Sequence, residues 1–200
     1  MLGLMQDHPL LISSIFEHAV GNYGKQEIVS NTVEGGIHRY NYSSWGERTK
    51  KLANALKSLN LNQGDKVGTL AWNGYRHLEI YYATSCSGLI CHTLNPRLHP
   101  DQVSYIVNHA EDKVLCVDLN ILPLIEKASE NFKTVEALVI MTDEKNMIKP
   151  NIKDGIKIIC YEEFIKDQSE EYIWPQLDEK TASSLCYTSG TTGNPKGVLY

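Results

Sequence analysis

Between residues 66 and 160, short apolar runs alternate with longer segments whose apolar residues recur at helical spacing, and few folds accept such a chain. Residues 66–71, 89–94, 113–117, 135–141 and 156–160 read as strands. Residues 75–87 and 121–131, a segment opening at Pro100, and residues 161–167 read as helices. Proline at Pro100 suits a first helical turn, where its missing N–H costs nothing. Strands that are apolar throughout, each followed by an amphipathic helix, predict an α/β fold with a mostly parallel sheet covered on both faces. Residues 142–154 are polar and read as a surface loop. Residues 168–180, acidic and containing Pro175, read as a connector.

The chain ahead of this alternation predicts an N-terminal helix over residues 9–20, with Leu11, Ile15, Phe16 and Ala19 on one face. Strands over 27–32 and 37–42 flank Glu34-Gly35-Gly36, a hairpin signal. Ser44-Trp45-Gly46-Glu47 has the capping-box pattern and opens a helix carrying Leu52, Ala55, Leu56 and Leu59. Two hundred residues suffice for one domain or two small ones. A net charge of −5 argues against a nucleic-acid partner, which selects basic surfaces. The five cysteines are odd in number and form no C-x-x-C pair, so buried free thiols in a reducing compartment are expected. Cys91-His92 with His99 matches no zinc spacing. Residues 1–11 lack the basic and apolar regions of a signal peptide, and no apolar run reaches membrane-spanning length. The expected address is the cytoplasm.

Chemistry concentrates at residues 188–197, which hold three glycines, four hydroxyl side chains, one proline and one lysine. Gly190, Gly193 and Gly197 would allow positive φ and close approach of backbone N–H groups to an anion. Thr188, Ser189, Thr191 and Thr192 would offer hydroxyls to phosphate oxygens, and one of them could ligate Mg²⁺. Lys196 would bring a mobile positive charge, with Pro195 stiffening the turn before it. The composition equally suits a plain flexible connector. The Walker pattern does not fit: counted from Gly190, proline occupies the second glycine position and Gly197 follows the lysine.

Tyr187-Thr188-Ser189-Gly190-Thr191-Thr192-Gly193-Asn194-Pro195-Lys196-Gly197-Val198 resembles, without a break, the signature of the adenylate-forming superfamily of acyl-CoA synthetases, peptide-synthetase adenylation domains and luciferases. Tyr40-Asn41-Tyr42, Gly64-Asp65-Lys66-Val67, His92-Thr93-Leu94-Asn95-Pro96-Arg97-Leu98 and Tyr105 through Val114 are similar to the medium- to long-chain fatty-acyl-CoA ligase branch. The resemblance implies that residues 1–200 are the N-terminal part of the large AMP-binding domain. The rest of that domain and a small C-terminal domain would follow Tyr200, with the adenine, ribose, acyl and CoA sites. It implies ATP-dependent activation of a fatty acid through an acyl-adenylate, then transfer to CoA, with ATP and Mg²⁺ as cofactors. The 200 residues alone should then not complete the reaction. Carried over by position, Thr188, Ser189, Gly190, Thr191, Thr192, Gly193 and Lys196 bind the ATP phosphates, and Thr188 contacts the magnesium. The resemblance also implies a homodimer contact through the N-terminal helix and hairpin, which nothing in their composition requires. Two other readings stand beside it. One is a different adenylate-former, either an aryl- or short-chain acyl-CoA ligase or a carrier-protein-loading domain. The other is a non-catalytic nucleotide-binding module. Trp72, Tyr75, Arg76 and His77, at a strand-to-helix junction, read first as packing and capping groups and second as ligand contacts.

Overall fold

The structure, a computed structural model, describes residues 1, 3–188 and 194–200. A helix α1 (Ile12–Tyr23) leads into an antiparallel hairpin of β1 (Glu27–Asn31) and β2 (Ile37–Asn41), which pairs Glu27 with Asn41 and Asn31 with Ile37. Gly35 and Gly36 turn the hairpin with φ of 96° and 94°, a region closed to most side chains. Helix α2 (Tyr42–Lys57) follows directly. Its cap is Asn41, three residues earlier than the Ser44 box predicts: the Asn41 side chain accepts from the Ser44 N–H at 2.9 Å. The N–H groups of Tyr42 and Ser43 donate to the Gln26 and Gly24 carbonyls, so tertiary contacts satisfy the first turn and Ser44 lies inside it.

Then come β3 (Lys66–Leu70), α3 (Tyr75–Cys86), β4 (Ile90–Thr93), α4 (Pro100–Ala110), β5 (Asp112–Val117), α5 (Leu122–Ser129), β6 (Ala137–Ile140), β7 (Lys157–Cys160), α6 (Tyr161–Lys166), β8 (Ser184–Thr188) and β9 (Lys196–Leu199). One seven-stranded sheet orders these strands β7-β6-β5-β3-β4-β8-β9. Every pairing in it is parallel except β8 with β9. Alternate strand residues feed two cores. Val67, Val114, Cys116, Val139 and Ile159 pack under α1, α2, α3 and α6. Leu70, Leu115, Val117, Leu138 and Ile140 pack under α4 and α5. The predicted doubly covered α/β sheet is what forms. In α1 the buried face differs from the expected one: Phe16 is buried and Ile12, Ala19 and Val20 pack beside it, while Ile15 is 57% exposed. Of the cysteines, Cys86, Cys91 and Cys116 are buried, but Cys160 is half-buried and Cys186 exposed. Among the described residues no helix is long and apolar enough to cross a membrane.

Candidate functional site

The chain runs from central β3 to β4 on one side, then returns past β3 to β5 on the other. Loops leaving β3 and β5 therefore diverge, and in open parallel sheets a ligand crevice opens at the carboxyl ends of such strands. Here Trp72 and Asp118 flank it, tied by the Trp72 N–H donating to Asp118 Oδ2 at 2.7 Å. A small cavity of about 30 Å³ lies between this junction and the β1–β2 turn, with Glu34, Arg76 and Asp118 in its wall. Burial raises the Asp118 carboxyl above its ordinary value, against the opposing Trp72 N–H. Arg76 donates to Glu34 Oε1 at 2.7 Å and to the Met141 carbonyl at 2.9 Å, so it is a buried strut. Tyr75 stacks on His38 at 3.7 Å and donates to Glu162 at 3.1 Å. His77 Nδ1 donates to the Trp72 carbonyl at 3.3 Å, leaving Nε2 to accept from the Thr69 hydroxyl at 3.1 Å. Burial lowers its pKa, although the bond to Trp72 opposes this. Ion pairing, stacking and hydrogen bonds engage all three side chains, but none caps α3, whose N-cap is Gly74 with no side-chain bond. The neighbouring open pocket, about 620 Å³, has Leu78, Tyr81 and Thr93 in its wall.

The described ends of the glycine- and hydroxyl-rich segment, Thr188 and residues 194–197, lie at the same edge. Strand β8 runs parallel to β4, with Thr93 opposite Cys186. The chain then returns as β9, unforeseen as a strand, with Thr188 directly opposite Lys196 and Tyr187 opposite Gly197. Directly opposed residues share one face of a ladder. Thr188 and Lys196 therefore lie together on the face that carries Cys186 and Thr93, beside the open pocket. Both are exposed, and the Thr188 hydroxyl reaches the Lys196 carbonyl at 3.4 Å. Ser189, Gly190, Thr191, Thr192 and Gly193 lie outside the described residues.

Gly197 requires a correction. It is in extended β9 and is not among the residues with positive φ. Its lack of a side chain serves clearance: a Cβ there would lie 3.1 Å from the Tyr187 ring. The exposed Thr188 hydroxyl is, among the described residues of the segment, an oxygen that could contact a magnesium ion. Among the described residues no group of three or more His, Cys, Asp or Glu gathers to hold a metal. The Thr188 hydroxyl is a hard oxygen of the kind magnesium takes alongside phosphate and water oxygens.

The sequence reading missed the groups that acquire partners only through folding. Asp118 is one. The pairs Arg48–Glu79, Arg48–Glu162 and His92–Asp112 are others, joining positions 31, 114 and 20 residues apart. For Glu79 the flanking Leu78 and Ile80 were the available signal, whereas Asp112, between Glu111 and Lys113, offered none.

The chain matches the AMP-binding enzyme family over residues 16–200. It is 47% identical over its whole length to the 3-methylmercaptopropionyl-CoA ligase of Ruegeria pomeroyi, covering 36% of that protein. It is 46% identical, also over its whole length, to the medium-chain-fatty-acid–CoA ligase of Ectopseudomonas oleovorans, again covering 36%. Over 98% of its length it is 40% identical to the long-chain-fatty-acid–CoA ligase of Thermus thermophilus, covering 34%. Its fold superposes on that of an anthranilate CoA ligase crystallised with anthranoyl-AMP, with a TM-score of 0.81 at 24% identity, over 96% of this chain and 35% of that one. The chain thus spans about a third of the length of these relatives.

Proposed function

The chain belongs to the AMP-binding enzyme family, and on that premise we propose that the whole protein activates a fatty acid with ATP and passes the acyl group to CoA. The observation that carries this reading is the pairing of β8 with β9, which sets Thr188 and Lys196 as opposed neighbours at the carboxyl edge of the sheet. In the first step a carboxylate oxygen attacks the α-phosphorus and pyrophosphate leaves. In the second the CoA thiol attacks the acyl carbon and AMP leaves. An anion attacking a polyanion is opposed by charge, so positioned donors and cations lower the barrier. Lys196 would sit against the outer phosphates, and the hydroxyls and amides of residues 188–193 would orient them. Magnesium, when bound, would neutralise phosphate charge, with the Thr188 hydroxyl among its ligands.

The acid is proposed from the relatives named for medium- and long-chain fatty acids. A second reading, a short substituted acid, is favoured by the equally similar 3-methylmercaptopropionyl-CoA ligase. Exposed Ile15, Tyr23, Val29 and Ile37 support a homodimer contact on α1 and the hairpin. Five unpaired thiols support a cytoplasmic address.

The test uses a completed ligase, this chain joined after Tyr200 to the remaining length of the Ruegeria pomeroyi relative. Lys196→Ala should lower ATP–pyrophosphate exchange about 100-fold or more, the usual effect of deleting a charge-stabilising contact. Exchange at the parent rate would sink the phosphate-binding role. For the acid, the fatty-acid reading predicts faster exchange with octanoate and longer chains than with propionate derivatives. That comparison is made with the whole protein and not with the join, whose acyl-site residues would come from the relative.

A further inference from the structure

Tyr187 stands one residue before Thr188 and faces the opposite side of the sheet, where two histidines meet its ring. His109 Nδ1 of α4 is 2.6 Å from the Tyr187 hydroxyl. His109 itself stacks on Tyr105, with ring centroids 5.4 Å apart. The ring of His92 lies 5.2 Å from that of Tyr187. His92 is fully buried, and its Nδ1 donates to the two oxygens of equally buried Asp112 at 2.8 and 2.9 Å. Among the described residues its Nε2 has no partner, so the bond to Asp112 alone orients the ring. Two glycines make room for this arrangement. A Cβ on Gly68 would come within 2.5 Å of Leu115 and 3.0 Å of the Asp112 carboxylate, and one on Gly197 would press on Tyr187. His109 of α4, His92 of β4 and Gly197 of β9 thus meet one phenol ring, with Asp112 of β5 behind His92.

We infer that Tyr187 is a positioning residue, held by His109 and backed by the His92–Asp112 pair, which sets where Thr188 and the opposed Lys196 meet the nucleotide's phosphates. The inference rests on the phosphate-binding reading above. A strand end carries its neighbours with it: a shift of the Tyr187 ring moves the adjoining Thr188 backbone and the Lys196 opposite it. Burial pushes the Tyr187 hydroxyl up to about 12, so it remains a neutral hydrogen-bonding group at neutral pH.

The experiment compares Tyr187→Phe, His109→Ala and the double variant of the completed ligase. His109 is exposed, and Tyr187→Phe keeps the ring, so neither change should prevent folding. Each single variant should raise KM for MgATP about tenfold while KM for the acid stays unchanged, the loss expected for one good hydrogen bond. The double variant should be no worse than either single one, because both remove the same bond. Parent KM values in both singles would overturn the proposal, as would a fall in kcat with KM for MgATP unmoved, which is the mark of a purely structural role. Lys196→Ala separates the two levels. If it leaves exchange intact, the phosphate-binding reading fails and this proposal fails with it. If it abolishes exchange while the Tyr187 and His109 variants behave as the parent, only the positioning role is overturned.

Discussion

Arg48→Met is expected to remove about 3–5 kcal/mol of folding stability, the cost of breaking a buried ion pair from one side. Arg48 Nε and Nη2 donate to Glu79 at 2.8 and 3.1 Å, while Nη1 and Nη2 donate to Glu162 at 3.0 and 3.1 Å. Arg76 donates to Glu162 at 2.8 Å and to Glu34. Glu79 is fully buried and also accepts from the Tyr161 hydroxyl at 2.6 Å. The cluster ties α2, α3, α6 and the β1–β2 turn together. Its two cations face three carboxylates, so removing Arg48 leaves one cation against three. Burial raises Glu79 even with Arg48 beside it, so in the variant Glu79 should take up a proton, which limits the loss. Burial also works to raise Glu162, but the hydrogen bonds and charges of Arg48 and Arg76 outweigh it and hold the group low.

The pH sign follows from Glu162. A carboxyl held below its unfolded value contributes stability above that value and loses it as pH falls through the folded value. The Glu162 contribution to the parent's stability should therefore fall away below the ordinary carboxylate range, with Glu79, which is raised, acting in the opposite sense, and Arg48→Met should flatten the Glu162 part of the decline. Urea unfolding at neutral and acid pH reads both effects. A midpoint for Arg48→Met equal to the parent's would show that the cluster contributes nothing net. Arg48→Met combined with Glu79→Met should recover part of the loss, since apolar replacement of a whole buried pair is often neutral.

What the sequence disclosed and what it withheld divide along range of interaction. The strands β3 to β7 were legible because a strand covered on both faces is apolar along its length, as in Val114-Leu115-Cys116-Val117. Pro100 marked the start of α4 because its effect is local. The α2 boundary was misread because the groups satisfying its first turn, Gln26 and Gly24, lie across the hairpin. Asn41 and Ser44 were both suitable caps, and only that tertiary pairing chose between them. Strand β9 was hidden because Gly197, with Pro195 and Lys196 ahead of it, gives a loop-like composition. Pairing with β8 overrides that preference, and the exposed edge carries little apolar pattern. Within the candidate site, Thr188 and Lys196 could be named from residue type, but their direct opposition depends on hairpin register. The His92–Asp112–Tyr187 grouping required three strands and two glycine clearances that no spacing along the chain encodes.

The second large effect concerns the attachment of the N-terminal helix, where Phe16→Ala is expected to cost about 3–5 kcal/mol. Phe16 is the one buried residue of α1. Its ring packs edge-on against Trp45 of α2 at 4.8 Å and Trp174 of the connector after α6 at 5.2 Å, and lies 6.2 Å from Tyr82 of α3. The side chain therefore fills the joint between four segments, and three aromatic rings around the vacated space cannot all close on it without leaving their other contacts. Trp174 is separately held, its Nε1 donating to Glu17 at 2.8 Å, which restricts collapse from that side. Phe16→Leu keeps much of the volume and should cost clearly less than the alanine change. Ile15→Ala, at an adjacent but exposed position, should stay within about 0.5 kcal/mol of the parent. Urea unfolding followed by tryptophan fluorescence reports on the site itself, because Trp45 and Trp174 both line it. Equal losses at Ile15 and Phe16 would mean that helix propensity rather than packing holds α1. A loss at Phe16 in fluorescence alone, with the far-ultraviolet transition unmoved, would mean that α1 and the connector detach while the sheet stays folded. A common transition that shifts together at both wavelengths would place α1 within the same cooperative unit as the strands it covers.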